Sequence, residues 1–233
     1  MRTLDIRRLL IDFSIPLTIL LAATLLFRLT HLDLTIESLF YLPGQGWPHE
    51  RDWPWHPLYL YGNRPAILMV VVAVIGLVGS LFTARLVRYR KIALFVILLM
   101  LIGQIVLVNV LFKDHWYRPR PRQVDLFGGP APYVPVLEKG QQAGKYRSFP
   151  SGHAGVGFFV MAPFFWLRDQ APRAARIWLG VGLAYGLLMG LSRMIQGGHF
   201  PSDVLWSGGF IYLTGLALYY LFRFDRTVWW ERG

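Results

Sequence analysis

The sequence predicts an all-α integral membrane protein with six transmembrane helices. Of its 233 residues, 55% are hydrophobic and 16% are charged, whereas soluble proteins carry about 25% charged residues. This apolar content is more than one water-soluble core can bury. The chain also contains six apolar stretches, and a membrane helix needs about 20 mostly apolar residues. We therefore expect one integral-membrane domain over residues 1–233.

The six predicted spans are expected at 10–27, 65–82, 92–112, 154–167, 177–193 and 204–222. The first three are long and apolar. The last three are shorter and each adjoins polar residues, and 154–167 has only about fourteen residues, fewer than a helix needs to cross the bilayer alone. A cleaved signal peptide is the alternative for the first stretch. It is less favoured, because the stretch approaches a full span and no clear A-x-A site follows it.

The positions of Lys and Arg predict the orientation, because short cytoplasmic loops retain positive charge. Thirteen basic residues fall on one side of a six-helix arrangement: Arg2, Arg7, Arg8, Arg85, Arg88, Arg90, Lys91, Arg168, Arg173, Arg176, Arg223, Arg226 and Arg232. The other side holds eleven, but seven of these lie in segment 113–150, and long loops cross the membrane largely regardless of charge. Both termini are therefore expected in the cytoplasm, and segments 28–64 and 113–150 in the periplasm of a bacterial inner membrane.

Aromatic residues are concentrated in segment 28–64. They are Tyr41, Trp47, Trp53, Trp55, Tyr59 and Tyr61. Such a density is typical of the membrane interface, and it fits either a lid in the headgroup layer or an aromatic belt with no role in substrate binding. Trp229 and Trp230 near the C-terminus are also expected at an interface.

Composition excludes several classes of protein. The chain has no Cys, which rules out disulfide scaffolds, thiol catalysis and Cys-ligated metal sites. The net charge of +11 could indicate nucleic-acid binding. That interpretation is disfavoured, because the basic residues are distributed by membrane topology and lack a soluble platform.

Three polar clusters are expected to meet at one membrane face. KDHWYRPRP closes the third span and begins segment 113–150, the expected active-site loop; FPSGH opens the fourth span; SRMIQGGHFPSD joins the fifth and sixth. The clusters collect Lys113, Arg120, Ser151, His153, Arg193, His199 and Asp203.

This set of side chains suits a phosphate group. It lacks the carboxylate-rich ligands of a magnesium or calcium site, so no metal or cofactor is expected, whereas Lys and Arg bind phosphate oxygens. A neutral His can attack phosphorus and a protonated His can give its proton to the leaving oxygen. Asp203 lies four residues after His199, so it can reach back and orient that imidazole. Ser151 and Gly152 open a helix whose free N–H groups can receive an anion.

These motifs resemble those of the type-2 phosphatidic acid phosphatase superfamily, which shares its active site with vanadium haloperoxidases. K-x6-R-P matches Lys113 to Arg120-Pro121, P-S-G-H matches Pro150 to His153, and S-R-x5-H-x3-D matches Ser192 to Asp203. The resemblance covers about residues 60–222. It implies six helices and metal-independent phosphate-ester hydrolysis through a phosphohistidine. His199 would be the nucleophile, oriented by Asp203, and His153 the general acid. The phosphate would be held by Lys113, Arg120, Ser151, Gly152 and Arg193.

Four further basic residues are expected to contact lipid headgroups or to be ordinary surface charges: Arg118, Arg122, Lys145 and Arg147. Arg118-Pro119 is a competing Arg-Pro pair, but the position seven residues before Arg118 is Leu111 rather than Lys. His115 is expected to pack or be solvated at a helix end.

The sequence therefore predicts a lipid phosphatase at the periplasmic face. Within the resembled family, lipid A 1-phosphate is favoured, by the similarity of FKDHWYRPRP and DLFGG to such enzymes. Phosphatidate, phosphatidylglycerophosphate and undecaprenyl diphosphate remain open. The main alternative is a lipid phosphotransferase that passes the phosphoryl group to a second lipid, followed by a non-enzymatic lipid binder or transporter. A haloperoxidase is disfavoured because the site lies among membrane spans. Membrane lipids are the expected partners, with no obligate protein partner.

Overall fold

A computed structural model describes residues 5–142 and 145–226, and its regular structure is helical throughout these residues. Arg2, Arg232, Trp229 and Trp230 lie outside the described residues. The helices are α1 (Ile6–Thr30), α2 (Leu32–Glu37), α3 (Trp55–Tyr61), α4 (Arg64–Gly79), α5 (Ala84–Val87), α6 (Arg90–Leu98, continued by a π-helix at Leu99–Lys113), α7 (Gly152–Phe158), α8 (Pro163–Leu167), α9 (Pro172–Ile195) and α10 (Pro201–Leu221). Residues 114–151 form a loop with two short 3₁₀ turns, Pro121–Gln123 and Asp125–Phe127.

Five of the described helices are long and apolar enough to cross a membrane. They are Ile6–Thr30, Trp55–Gly79, Arg90–Lys113, Pro172–Ile195 and Pro201–Leu221. The chain is thus a polytopic all-α membrane protein, as predicted. All five helices begin before their predicted first residues, because polar residues extend their first turns; Asp5, for example, caps α1 by accepting the N–H of Arg8 at 3.1 Å. Two of them end slightly before the predicted bounds, at Gly79 and Leu221. Segment 28–64 is partly helical: it contains the whole of α2 and α3, together with the end of α1 and the first residue of α4.

The fourth predicted span is the shorter apolar helix Gly152–Leu167, and it lies inside the helix bundle. Phe159, Met161 and Phe165 are fully buried, whereas lipid-facing side chains of α1 and α4 such as Ile19 and Ile75 are more than 60% exposed. A short helix can be accommodated here because its neighbours are protein rather than lipid.

Glycines of α9 allow this close packing. Gly182, Gly186 and Gly190 recur every fourth residue and so share one helix face. A Cβ would lie 2.4 Å from Met161 at Gly182 and 2.2 Å from the Phe158 ring at Gly186. Small residues at such spacing let membrane helices approach one another.

Polar contacts distinguish the two ends of the bundle. At one end, α1, the α8–α9 connection and α10 are joined, with Arg8 donating to Asp169 at 2.5 Å and Arg168 to Asp12 at 2.9 Å. At the opposite end, the π-helix terminates and α7 and α10 begin. The three polar clusters predicted from the sequence meet at that end.

Candidate active site

Contacts between the three clusters build the site. The backbone N–H of Ser151 donates to the carbonyl of Asp203 at 3.2 Å, and Ser207 donates to the carbonyl of Ser151 at 2.8 Å. The Lys113 ammonium lies 3.1 Å from where a Cβ on Gly152 would be. Residues from the ends of three helices are thus brought together at one end of the bundle.

The start of helix Gly152–Leu167 faces this site. Ser151 is its N-cap, and the Ser151 hydroxyl accepts the N–H of Ala154 at 3.4 Å. Gln104 holds the first turn by donating to the carbonyl of Gly152 at 2.9 Å. A side chain at position 152 would crowd both Lys113 and Asn109, so glycine leaves the first turn open to an anion.

His199 is buried against Asp203. Its Nδ1 lies 3.6 Å from Asp203 Oδ2, slightly beyond hydrogen-bond length, and has no closer partner among the residues the structure describes. This arrangement leaves Nε2 as the free ring nitrogen. Burial lowers the pKa of His199 well below its ordinary value, and the positive charge of Lys113 acts in the same direction against the opposing effect of Asp203. The lowered pKa favours the neutral imidazole, which is the form of histidine that can act as a nucleophile.

Asp203 is held on every side. Its Oδ2 accepts from the Ser148 hydroxyl at 2.6 Å and from the Phe200 N–H at 2.9 Å, and its Oδ1 accepts from Arg118 at 2.5 Å. The carboxylate is completely buried. Its orientation toward His199 is thus fixed by three donors from two segments of the chain.

Three cations border the site without counter-ions. Lys113, Arg120 and Arg193 lie close enough for their charges to interact, and none forms an ion pair within the described part of the chain. Burial, together with the charge of Arg122, lowers the pKa of Arg120 from its ordinary value. Unpaired cations in such proximity repel one another until an anion enters, so their arrangement favours a phosphate group.

Tyr59 contacts two of the predicted site residues. Its ring centre lies 5.0 Å from the His153 ring and 4.5 Å from the guanidinium carbon of Arg193. Helix α3, which carries Tyr59, is fixed to α9 because the Ser192 hydroxyl donates to the carbonyl of Trp55 at 2.8 Å. At least this part of the aromatic segment therefore belongs to the site.

The prediction that Arg118 contacts headgroups or is a surface charge is wrong. Its side chain is completely buried, and its two terminal nitrogens donate to Asp203 at 2.5 Å and to Asp33 at 2.7 Å. Burial alone would lower the pKa of Arg118, but the carboxylates of Asp203 and Asp33 raise it above its ordinary value. Two buried carboxylates require a buried counter-charge, and Arg118 supplies it.

The other three basic residues of that group are exposed. Arg122 lies at the mouth of the site, where its N–H donates to the carbonyl of Gly197 at 3.1 Å. Lys145 is exposed, and Arg147 forms an ion pair with Asp114. A role for these three residues in headgroup binding stays a prediction. His115, also exposed, lies with Nδ1 3.0 Å from the carbonyl of Val110.

A small cavity of about 130 Å³ opens beside Arg193. It is lined by Glu50, Arg51, His56, Tyr59, Arg122, Arg193 and Gln196. Among the residues that the structure describes, no three His, Asp or Glu side chains come together as ligands for a metal. The expectation of a site without metal or cofactor stays a prediction.

Comparison with known proteins assigns the family. Residues 92–227 match the sequence profile of the PAP2 superfamily. The chain belongs to this superfamily. It is 36% identical to a lipid A 4′-phosphatase of Francisella tularensis subsp. novicida over 165 residues, which are 70% of this chain and 73% of that protein. No solved structure matches the chain.

Two Rhizobium proteins are also similar. The chain is 35% identical to a lipid A 4′-phosphatase of Rhizobium leguminosarum over 144 residues, 59% of this chain and 58% of that protein. It is 38% identical to one of Rhizobium etli over 130 residues, 54% of this chain and 47% of that protein. The chain thus spans only about half the length of these two relatives. Together, the superfamily and the relatives confirm the predicted resemblance and the predicted lipid phosphatase.

The PAP2 match begins at residue 92, so it leaves out two residues that the structure brings to the site. Both come from segment 28–64: Asp33 accepts a hydrogen bond from Arg118, and the ring of Tyr59 lies against the guanidinium of Arg193. Sequence reasoning missed both roles. The only available signal was an Asp directly after the first span, at the same membrane face as the motifs.

Proposed function

We propose that this PAP2 enzyme removes a phosphate from lipid A at the periplasmic face of the inner membrane. The observation that carries the proposal is a buried His199, its pKa lowered, held against Asp203 beside three cations that form no ion pair with any described residue. The names of the three similar proteins support lipid A as the substrate.

In the first step, His199 Nε2 attacks phosphorus while the bond between phosphorus and the sugar oxygen breaks. His153 gives its proton to the departing oxygen, so a sugar hydroxyl leaves and a phosphohistidine forms on His199. Lys113, Arg120 and Arg193 neutralise the charge on the three equatorial oxygens, which is where protein electrostatics lower the barrier most.

In the second step, water attacks the phosphohistidine. His153, now neutral, takes a proton from that water, and inorganic phosphate leaves as His199 returns to its neutral form. Asp203 keeps Nδ1 of His199 oriented during both steps. The three donors to Asp203 support this role, because they prevent the carboxylate from rotating away.

The position of the phosphate on lipid A is part of the proposal. The sequence favoured the 1-phosphate, but all three similar proteins are named for the 4′-position. We therefore propose the 4′-phosphate. Mass spectrometry of the product distinguishes the two positions, because each glucosamine of lipid A fragments separately.

The orientation follows from charge and from the two ends of the bundle. The basic residues near Arg8 and Arg168 gather at the end opposite His199, and short basic segments stay in the cytoplasm. We therefore propose that the termini lie in the cytoplasm and the site in the periplasm. Cysteine labelling of an Asp52→Cys variant in intact spheroplasts tests it, since the chain has no cysteine of its own.

The proposed activity is tested by phosphate release from purified protein in detergent with EDTA, using His199→Ala as the blank. The substrates are lipid A, phosphatidate, phosphatidylglycerophosphate and undecaprenyl diphosphate. We expect release from lipid A, persistence in EDTA and inhibition by vanadate, whose trigonal-bipyramidal form mimics the transition state. Phosphate release only from a lipid other than lipid A would contradict the proposal that lipid A is the substrate. Transfer of labelled phosphate to a second lipid, with none released, would establish the phosphotransferase instead.

A further inference from the structure

The cavity beside Arg193 is too small for a whole lipid headgroup. Its volume is about 130 Å³, whereas pockets for drug-sized ligands measure about 300–1,000 Å³. It can therefore receive one compact part of a substrate. Glu50, Arg51, His56 and Tyr59 form one wall, and all four come from the segment that precedes the PAP2 match.

Hydrogen bonds tie this cavity to the phosphate-binding cations. Gln196 accepts from Arg193 through its Oε1, and its Nε2 donates to the backbone carbonyl of Glu50 at 3.2 Å. Tyr59 lies under Arg193 and beside His153. A group in the cavity is consequently adjacent to the phosphate that Arg193 binds and to the proton donor for its leaving oxygen.

The polar groups that line the cavity include both hydrogen-bond donors and hydrogen-bond acceptors. Arg51 and Arg122 are exposed donors, while the amide of Gln196 is already occupied on both sides. Glu50 supplies the one carboxylate among the described residues that line the cavity; its side chain is 43% exposed, and Arg51 Nε lies 3.5 Å from its Oε1. A carboxylate beside a phosphate site repels the anion unless the group between them brings hydrogen-bond donors.

Whether such donors are present depends on the group to which the phosphate is esterified. A diacylglycerol has only ester oxygens next to its phosphate, which accept hydrogen bonds and donate none. An amino-sugar ring has hydroxyl and N–H donors, and a carbon face that can lie against an aromatic ring such as Tyr59. The wall thus matches a sugar better than a glycerol ester.

We propose that this cavity binds the hexosamine ring that carries the scissile phosphate, with Glu50 accepting a hydrogen bond from a ring hydroxyl or N–H. This rests on the proposed lipid A phosphatase activity and names the part of the substrate that the enzyme recognises. Selection against phosphatidate then arises at Glu50, outside the PAP2 match.

The test compares two soluble phosphates that share the phosphate but differ in the carrier. Dissociation constants for N-acetylglucosamine 4-phosphate and butyl phosphate are measured by calorimetry in detergent, in the His199→Ala background that prevents turnover. We expect the sugar phosphate to bind about 10- to 100-fold more tightly, the range for a hydrogen bond to a charged group. Adding Glu50→Ala should abolish this difference, because it weakens binding of the sugar phosphate and, by removing the carboxylate that repels the anion, tightens binding of butyl phosphate.

Two further variants control for folding and for charge. Glu50→Gln keeps the shape and one acceptor oxygen, so it should retain part of the preference for the sugar even if Glu50→Ala is unstable. Asp52→Ala removes an exposed carboxylate that pairs with His49 and does not line the cavity. It should retain the full preference.

The outcomes separate this inference from the proposed function. Equal binding of the two phosphates, or a preference that survives in both Glu50 variants, would overturn the sugar subsite. Phosphate release from lipid A by the wild-type enzyme is measured independently. Its absence would overturn the proposed function, and the titrations alone would then decide what the cavity binds.

Discussion

Arg118 and Arg120 are separated by one residue, and each precedes a proline, yet the structure gives them opposite surroundings. Arg118 is completely buried between the carboxylates of Asp33 and Asp203. Arg120 is half-buried beside Lys113 and Arg193 and has no ion-pair partner in the described part of the chain. Its pKa is lowered, whereas that of Arg118 is raised.

The difference shows that counter-charge determines what an arginine does at this site. The positive charge of Arg118 is neutralised within the protein, so it stabilises Asp203 and cannot attract a substrate. The charge of Arg120 is not neutralised, so it is available to the phosphate. Substitution of Arg118 should therefore mainly lower the stability of the fold, whereas substitution of Arg120 should mainly lower activity.

The largest effect is expected for Arg118→Ala, which leaves two buried carboxylates without their counter-charge. Breaking a buried ion pair costs about 3–5 kcal/mol of unfolding free energy. Thermal or denaturant unfolding in detergent measures it, with Lys145→Ala on the same segment as the exposed control. Arg118→Lys should recover only part of the loss, because Lys lacks the planar fork that reaches both carboxylates. Unchanged stability in Arg118→Ala would refute its structural role.

Arg120→Ala should reduce kcat/KM by roughly 10²- to 10³-fold, the usual result of removing one group that stabilises charge in the transition state. Its unfolding free energy should change by less than about 0.5 kcal/mol, as for most substitutions that break no buried contact. The two measurements are made on the same purified protein. If Arg120→Ala lost as much stability as Arg118→Ala, the conclusion that only Arg118 has a structural role would be wrong.

The sequence predicted the framework and the motif residues because these depend on bilayer thickness and on connectivity. Apolar stretches of span length must become helices, and alternate connections of a six-helix chain must share a face. It assigned Arg120 to the phosphate through the K-x6-R spacing, but it did not predict that Arg118 is buried, since the counter-ions of Arg118 are 85 residues away in both directions. Spacing within a motif carries no information about such distant partners.

Tyr59 illustrates the same limit. Its aromatic character predicted an interfacial position but not contact with His153 and Arg193, which depends on how α3 docks on α9. The interior position of helix Gly152–Leu167 is easier to infer from the sequence, because the glycines at every fourth position of α9 indicate a close contact between helices. The single-domain organisation and the catalytic roles stay predictions.

Tyr59→Leu should have a smaller effect than loss of Arg120, because it removes a ring contact and no charge. Cation–π contacts contribute about 0.5–2 kcal/mol, so kcat/KM should fall roughly 2- to 30-fold. Tyr59→Phe keeps the ring and should be close to wild type. If Tyr59→Phe lost as much as Tyr59→Leu, the phenolic hydroxyl and not the ring would be the important group.

The smallest effect is expected from mild acid. Burial lowers the pKa of His199 well below its ordinary value, and Lys113 acts in the same direction against the opposing effect of Asp203. Because only the neutral imidazole attacks, protonation of His199 should reduce kcat/KM as the pH falls through its folded-state pKa, which lies below the ordinary histidine value of about 6.5. A profile of kcat/KM from pH 8 to 5 checks this. An acid limb centred above 6.5 would be incompatible with a buried, neutral His199.

The central claim is that His199 receives the phosphoryl group from the lipid. Enzyme is mixed with radiolabelled lipid A, quenched in alkali within milliseconds and digested for mapping of the labelled peptide. The account predicts phosphate bound to the peptide that contains His199, stable in alkali, lost in acid and absent from His199→Ala. Label that maps to His153, or that persists on the His199→Ala protein, would contradict it.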